Sequence, residues 1–235
     1  MDKKLREMQE RILKVFSRRP GGFALTGGTA LELYYLLHRF SGDLDLFSPE
    51  YKVSEIERLV SEFKKVAGKI KMEAEFIAPN KAKVRFYSVS FKGFKRMLKI
   101  DFVEDALFKK PDIKMIKAVP VYSAENIYFQ KITTITGTAL VHDDIGREII
   151  QGRREARDVY DIYMLSRKIK PLHIFLSGLP PLFQRGVVHW YRTFSRQDVK
   201  LGLLDLDIYD KNFDSRKMIS YLEDEIKKFM ELVLQ

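Results

Sequence analysis

Asp43 and Asp45 stand two residues apart in a strictly alternating run, Asp43-Leu44-Asp45-Leu46-Phe47. On a strand this spacing sends both carboxylates out of one face, about 7 Å apart, while Leu44 and Leu46 enter the core. Two hard oxygen ligands on one rigid edge suit Mg²⁺, which takes one or two protein carboxylates and fills its shell with water and substrate phosphate. Upstream, Gly27-Gly28-Thr29 lies between an apolar run and a helical pattern. Paired glycines there let the backbone approach a ligand, and the free amides of the helix start, with the Thr29 hydroxyl, form a seat for phosphate oxygens. A third carboxylate, Asp101, sits in Lys99-Ile100-Asp101-Phe102-Val103. If its strand pairs near that of Asp43 and Asp45, the three converge as a site for two metals about 4 Å apart. Such a pair activates an attacking hydroxyl and steadies a leaving pyrophosphate. The tripeptide alone means little, since Asp205-Leu206-Asp207 repeats it without a glycine turn or a third carboxylate. That second copy is expected in an exposed loop.

These groups need elements to hold them. Leu5 to Phe16 has apolar residues at helical spacing and stops at Arg19-Pro20-Gly21-Gly22. A short strand, Phe23 to Thr26, and a helix from Thr29 to His38 follow, then the alternating strand Asp43 to Phe47. Ser54-Glu55-Ile56-Glu57 reads as a capping box opening a helix to Ala67, and strand-like runs occupy Ile70 to Ile77, Ala82 to Phe91 and Arg96 to Val103. From Pro120 the apolar period turns helical, at Ala124 to Leu140, Ala156 to Leu165 and Met218 to Leu234. The expectation is an α/β (α+β) protein with a strand-rich domain over 1–120 and a mainly helical domain over 121–235. A cleft between them is the natural place for a site. The aromatic residues of the segment 170–215, Trp190 and Tyr191 among them, suit core packing better than an RNA-binding surface.

The chain of 235 residues has no cysteine, which excludes disulfides, thiolate zinc sites, iron–sulfur clusters and cysteine nucleophiles. Its N-terminus is charged where a secretory signal needs an apolar run, and no stretch approaches the ~18 apolar residues of a membrane span. A cytoplasmic protein without membrane attachment is expected. The net charge of +10 is uneven: residues 1–120 hold 25 Lys and Arg against 16 Asp and Glu, whereas residues 121–235 hold 17 against 16. A basic half of this kind faces an anion, and a polyphosphate or nucleic acid suits it because cations that neutralise phosphates release counterions.

The ordered set Gly27-Gly28-Thr29-Ala30-Leu31, His38-Arg39, Ser41, Asp43-Leu44-Asp45 and Lys99-Ile100-Asp101 resembles the AbiEii/AbiGii type of nucleotidyltransferase toxin, a branch of the polymerase-β-like superfamily. Ser123-Ala124-Glu125, opening a helix that carries Lys131, and Arg157-Asp158-Val159-Tyr160-Asp161 extend the likeness. The resemblance implies a nucleotidyltransferase-type mixed sheet with flanking helices and a helical half completing the active-site cleft. It makes Asp43, Asp45 and Asp101 metal ligands, with Asp101 the base for the acceptor hydroxyl. Gly27, Gly28 and Thr29 would hold the nucleotide phosphates, Lys131 would be the cation on the triphosphate, and Asp158 the late acidic residue. Asp161, on nearly the same helix face, competes with Asp158 for that role. Arg39 would pair with phosphate or with carboxylates, and His38 is given no chemistry. Mg²⁺, with Mn²⁺ as a substitute, is the implied cofactor and a nucleoside triphosphate the substrate. The acceptor is expected to be RNA, tRNA in particular, and an antitoxin protein is an implied partner. Two alternatives stand beside this: a protein that keeps the fold and binds nucleic acid or antitoxin without turnover, and a transferase acting on a protein or small molecule. One departure is the segment Thr138 to Arg154, with Asp143, Asp144, Arg153 and Arg154, inserted between the lysine helix and the Arg157-Asp158 motif.

Overall fold

A computed structural model of the chain describes residues 2–77, 82–91, 96–137, 140–142, 148–150 and 152–233. Asp143 and Asp144 lie outside the described residues. The chain divides into two compact units, Met1–Tyr35 with Phe40–Asn126, and Leu36–Arg39 with Ile127–Gln235. The short segment 36–39 thus belongs with the second unit although it interrupts the first. No helix among the described residues is long and apolar enough to cross a membrane.

The first unit opens with α1 (Lys3–Phe16), whose start is capped by the Asp2 carboxylate accepting from the Leu5 amide at 3.1 Å. Leu5, Met8, Ile12, Leu13 and Phe16 form its buried stripe. β1 (Ala24–Thr26), α2 (Gly27–Ala30) and a π-helical stretch, Leu31–Leu36, follow, then β2 (Leu44–Ser48) and α3 (Val53–Lys64). The expected capping box at Ser54 is not used: the helix starts one residue earlier, after Lys52, without a side-chain cap. β3 (Lys69–Phe76), β4 (Val84–Ser90), β5 (Leu98–Glu104), β6 (Ile113–Ile116) and β7 (Val119–Tyr122) complete a mixed seven-stranded sheet of order β3-β4-β5-β2-β1-β7-β6. β2 runs parallel to β5, and β1 parallel to β7, while the other pairs are antiparallel.

Alternation along β2 and β5 separates two faces. Leu44, Leu46, Ile100 and Phe102 are buried, with Leu44 opposite Ile100 and Leu46 opposite Phe102. α1 packs on β5 and β7, α3 on β3, and the two helices lie against each other. The apolar row is therefore core, which leaves the intervening carboxylates on the opposite face. Phe23 meets Phe102 edge to face at 5.2 Å, within the same core.

The second unit holds α4 (Ala124–Thr136) from Ile127 on, the short hairpin β8 (Leu140–His142) and β9 (Glu148–Ile150), α5 (Ala156–Lys168), α6 (Leu172–Ser177), α7 (Pro181–Thr193), α8 (Arg196–Leu204) and α9 (Ser215–Val233). α4 stops before Gly137, which takes φ +81°, the left-handed conformation that ends helices. α6 packs on α9 and α5 on α8, and Tyr128 stacks on Phe175 with ring centres 4.0 Å apart. Trp190 and Tyr191 are buried, and Trp190 stacks on Phe194, so these rings are core. Asp205 and Asp207 are exposed beyond the end of α8.

Candidate functional site

The register of β2 and β5 sets Asp45 directly beside Asp101, and that of β1 and β2 sets Thr26 on the other side of Asp45. Neighbouring strands lie about 4.8 Å apart, so Asp45 and Asp101 leave one face as near neighbours. Asp43 precedes β2 by one residue, and all three carboxylates are half-buried. Burial, then the charges of Asp45 and Asp43, push the Asp101 carboxyl up to about 7, against a smaller pull from Lys99. Asp101 thus sits where two neighbouring carboxylates disfavour its charge.

Gly27 is required here twice. Its φ of +70° lies in the left-handed region, and a Cβ built on it would stand 2.0 Å from Asp45 Oδ2. The Asp45 carboxylate therefore rests against the glycine turn. Thr26, at the N-cap of α2, makes no side-chain cap hydrogen bond, so its side chain does not take up the first-turn amides. The Thr29 hydroxyl, expected among the phosphate ligands, donates to the Asp43 carbonyl and holds the approach to β2. Two residues the sequence reading passed over complete that support. Buried Glu32 accepts from the Ser41 amide at 2.8 Å and pairs with Arg6, and buried Gln9 donates to the Ser41 carbonyl at 2.9 Å. The available signal was Gln9 itself, a polar residue inside the apolar stripe of α1.

A second constellation belongs to the second unit. Asp161 is fully buried and accepts from Arg39 Nε and Nη2, both at 2.7 Å. His38 Nε2 approaches it at 2.8 Å and Lys131 Nζ at 2.8 Å. Lys131 also donates to Asp158 at 2.7 Å, and Asp158 accepts twice more from Arg153, at 2.7 and 2.9 Å. Burial disfavours the charges of Asp158, Asp161 and Lys131, yet the partners win. Arg39, Lys131 and a His38 hydrogen bond hold Asp161 well below the ordinary carboxylate range, and Lys131 and Arg153 lower Asp158. Asp161 and Asp158 in turn keep the Lys131 ammonium above its usual value despite burial. Asp158 and Asp161 thus both belong to the group, with Asp161 its hub and Asp158 its link to the solvent-touched Arg153. Spacing had left these two open because three residues of helix put both on one face. Arg153 lay in the inserted segment and had no assigned role.

Gly27, Gly28, Thr29, Asp43, Asp45 and Asp101 are thus gathered in the first unit, and Arg39, Lys131 and Asp158 in the second. Among the described residues, no three His, Asp or Glu side chains already close on one point as a metal cage. Mg²⁺ does not need one, because it usually keeps waters and takes substrate phosphate beside one or two carboxylates. The donors are hard oxygens, and burial with the charges of Asp45 and Asp43 raises the Asp101 carboxyl, so the residues present fit the ion.

The family described as nucleotidyl transferase AbiEii toxin, type IV toxin–antitoxin system, matches residues 11–231. Among solved structures, a candidate nucleotidyltransferase from H. pylori is 18% identical, with a TM-score of 0.58, covering 97% of this chain and 96% of that one. JHP933 from Helicobacter pylori is 16% identical, with a TM-score of 0.62 over 98% of this chain and 94% of the other. At such identities the likeness is one of fold. No curated protein matches the chain. With the glycine turn, the paired acidic strands and a match over nearly its whole length, the chain belongs to the AbiEii family of nucleotidyl transferase toxins.

Proposed function

We propose that the protein transfers a nucleoside monophosphate from a nucleoside triphosphate to a hydroxyl of an RNA acceptor, tRNA in particular, with Mg²⁺ bound at Asp43, Asp45 and Asp101. The observation that carries this reading is the register of β2 and β5, which seats Asp45 beside Asp101 on the face opposite the core, against the Gly27 turn. In the reaction the acceptor oxygen bonds to the α-phosphorus, the bond to the bridging oxygen breaks, and pyrophosphate leaves. The amides of Gly27 and Gly28 hold the phosphates, and Thr29 acts one step back by fixing the Asp43 backbone. Asp101, seated beside Asp45 by the strand register, takes the acceptor proton. Bound Mg²⁺, or Mn²⁺ in its place, supplies neutralisation of triphosphate charge. The rest is positioning, as in phosphoryl transfer generally.

Lys131 and Asp158 enter the proposal with a stated condition. The ammonium that would meet the triphosphate is shared by two carboxylates, so nucleotide must compete for it. The type IV family implies an antitoxin partner in general terms.

The test is incubation with each of the four α-³²P nucleoside triphosphates, Mg²⁺ and total tRNA, beside a folded Asp43→Ala/Asp45→Ala variant. Label enters RNA with the wild type alone if the reading is right. Label entering protein or a small molecule instead moves the acceptor, and a chain that neither transfers label nor binds triphosphate is a binding protein on a transferase fold.

A further inference from the structure

The C-terminal half of α1 and the neighbouring α3 bound a furrow of two adjoining hollows, about 270 and 380 Å³, that share Val15, Arg18 and Val66. α1 brings Arg11 and Lys14 to it, and Arg18 follows just past the helix end. Spacings of three and four residues align these on one side of the helix. α3 faces them with Arg58, and Lys65 follows directly after it. Val15, Leu59 and Val66 give it an apolar floor, Glu62 is the one carboxylate among the described residues of its lining, near Arg18, and no aromatic ring is among those residues. Arg11, Arg58 and Lys65 have carboxylate partners in Glu7, Glu55 and Glu62. Lys14 and Arg18 have no carboxylate within ion-pair distance among the described residues. Arg58 also donates to the Arg19 carbonyl at 2.8 Å, which fixes this corner of the chain onto α3.

We propose that this furrow is a docking site for the phosphate backbone of a nucleic-acid strand, separate from the carboxylate row. Three observations favour that occupant. From Arg11 to Arg18 the chain rises about 10 Å at 1.5 Å per residue, a row of cations long enough to follow a strand's backbone past more than one phosphate. A furrow in which Arg11, Lys14, Arg18, Arg58 and Lys65 outnumber the Glu62 carboxylate, with an apolar floor and no ring to stack on among the described residues, holds the backbone and does not read bases. The furrow also lies in the part of the chain that carries nearly all of the net positive charge. Topology sets it apart from the site: Arg18 and Arg19 precede β1, whereas the glycine turn follows its other end, so the two flank the sheet at opposite ends of that strand. The inference rests on the RNA-acceptor reading above and adds that the acceptor's body is held away from the reacting end.

The probe is a fluorescein-labelled RNA of 20 nucleotides and mixed sequence, with binding followed by anisotropy from 50 to 200 mM KCl. An Arg11→Gln/Lys14→Gln/Arg18→Gln variant is compared with the wild type and with a Lys211→Gln/Lys217→Gln/Lys227→Gln control on the second unit. The furrow variant should bind RNA at least about tenfold more weakly at 100 mM salt, with a salt slope smaller by about 2 for three lost phosphate contacts. Its triphosphate binding should equal that of the wild type. Arg18→Glu alone should show the same direction, and it serves as the test if the triple variant fails to fold. Unchanged RNA affinity and slope in a folded furrow variant overturn the furrow and leave the RNA-acceptor reading standing. A wild type that binds no RNA overturns both.

Discussion

Asp161→Asn removes one charge from a fully buried group while keeping nearly the same shape, and the structure sets the cost. The Asp161 carboxylate receives both nitrogens of one side of Arg39, the Lys131 ammonium and a His38 ring nitrogen, all within 2.8 Å. With asparagine, Arg39 and Lys131 remain buried without the Asp161 charge, and Asp158, the other carboxylate on Lys131, is already engaged by Arg153. Stranding buried cations in this way costs about 3–5 kcal/mol, a large share of a typical total of about 5–15 kcal/mol. Urea unfolding followed by far-ultraviolet circular dichroism at pH 7 reads the loss directly. The acid limb gives a second, independent readout. Because the folded-state pKa of Asp161 lies below its unfolded value near 3.9, its stabilisation is complete above about pH 4 and fades as the pH falls through the folded value. Wild-type stability should therefore fall with acid more steeply than that of the asparagine variant. A loss under about 1 kcal/mol at pH 7, with parallel acid limbs, would refute the reasoning.

Gly27→Ala places an L side chain at φ +70°, costing about 1–2 kcal/mol, and drives a methyl into the Asp45 carboxylate. The variant should stay folded by circular dichroism yet lose at least about tenfold in nucleotidyl transfer, since an ångström of misplacement at a reacting centre costs up to about a hundredfold. Gly152→Ala would set its methyl 2.2 Å from the Ile135 carbonyl oxygen, a backbone atom that no rotamer change can move, and should lower the melting temperature of the protein by several degrees. Tyr122→Phe deletes the hydroxyl that donates to Asp105 at 2.7 Å and should cost about 1.5–3 kcal/mol in urea unfolding. Lys131→Ala should weaken triphosphate binding in calorimetry if nucleotide displaces a carboxylate from its ammonium, and unchanged affinity would confine Lys131 to holding the second unit together.

Where the sequence was informative, the physics was local. The alternation of Asp43 to Phe47 and of Lys99 to Val103 dictates which side chains face the core, and both strands obey it. What alternation cannot give is strand neighbours, and the pairing of Asp45 with Asp101 comes from a register that depends on the whole sheet. The β6–β7 hairpin was passed over because its two-residue turn, Lys117-Ala118, takes positive φ at both positions without the glycine or asparagine that announces such turns. The helix after Gly28 was read as ordinary α-helix, whereas a π-helical stretch ends it at Leu36 and frees His38 and Arg39 to join the second unit. Nothing in those four residues signals that crossing. Helix α4 was extended to Leu140 through Gly137, the residue that stops it. Arg153 and Gln9 show a further limit, since a long-range hydrogen-bond partner leaves no mark on its own neighbours in sequence.

In the proposed reaction Asp45 and Asp101, side by side on β2 and β5, form the chemical centre. Single-turnover transfer of α-³²P label, with enzyme in excess over triphosphate and saturating tRNA, tests it in the wild type, Asp45→Asn and Asp101→Asn. Both variants should fold, and Asp101→Asn should bind triphosphate with an affinity near that of the wild type while its transfer rate falls by about 10²–10⁴-fold, the range a general base contributes. Wild-type transfer rates in either variant would contradict this assignment.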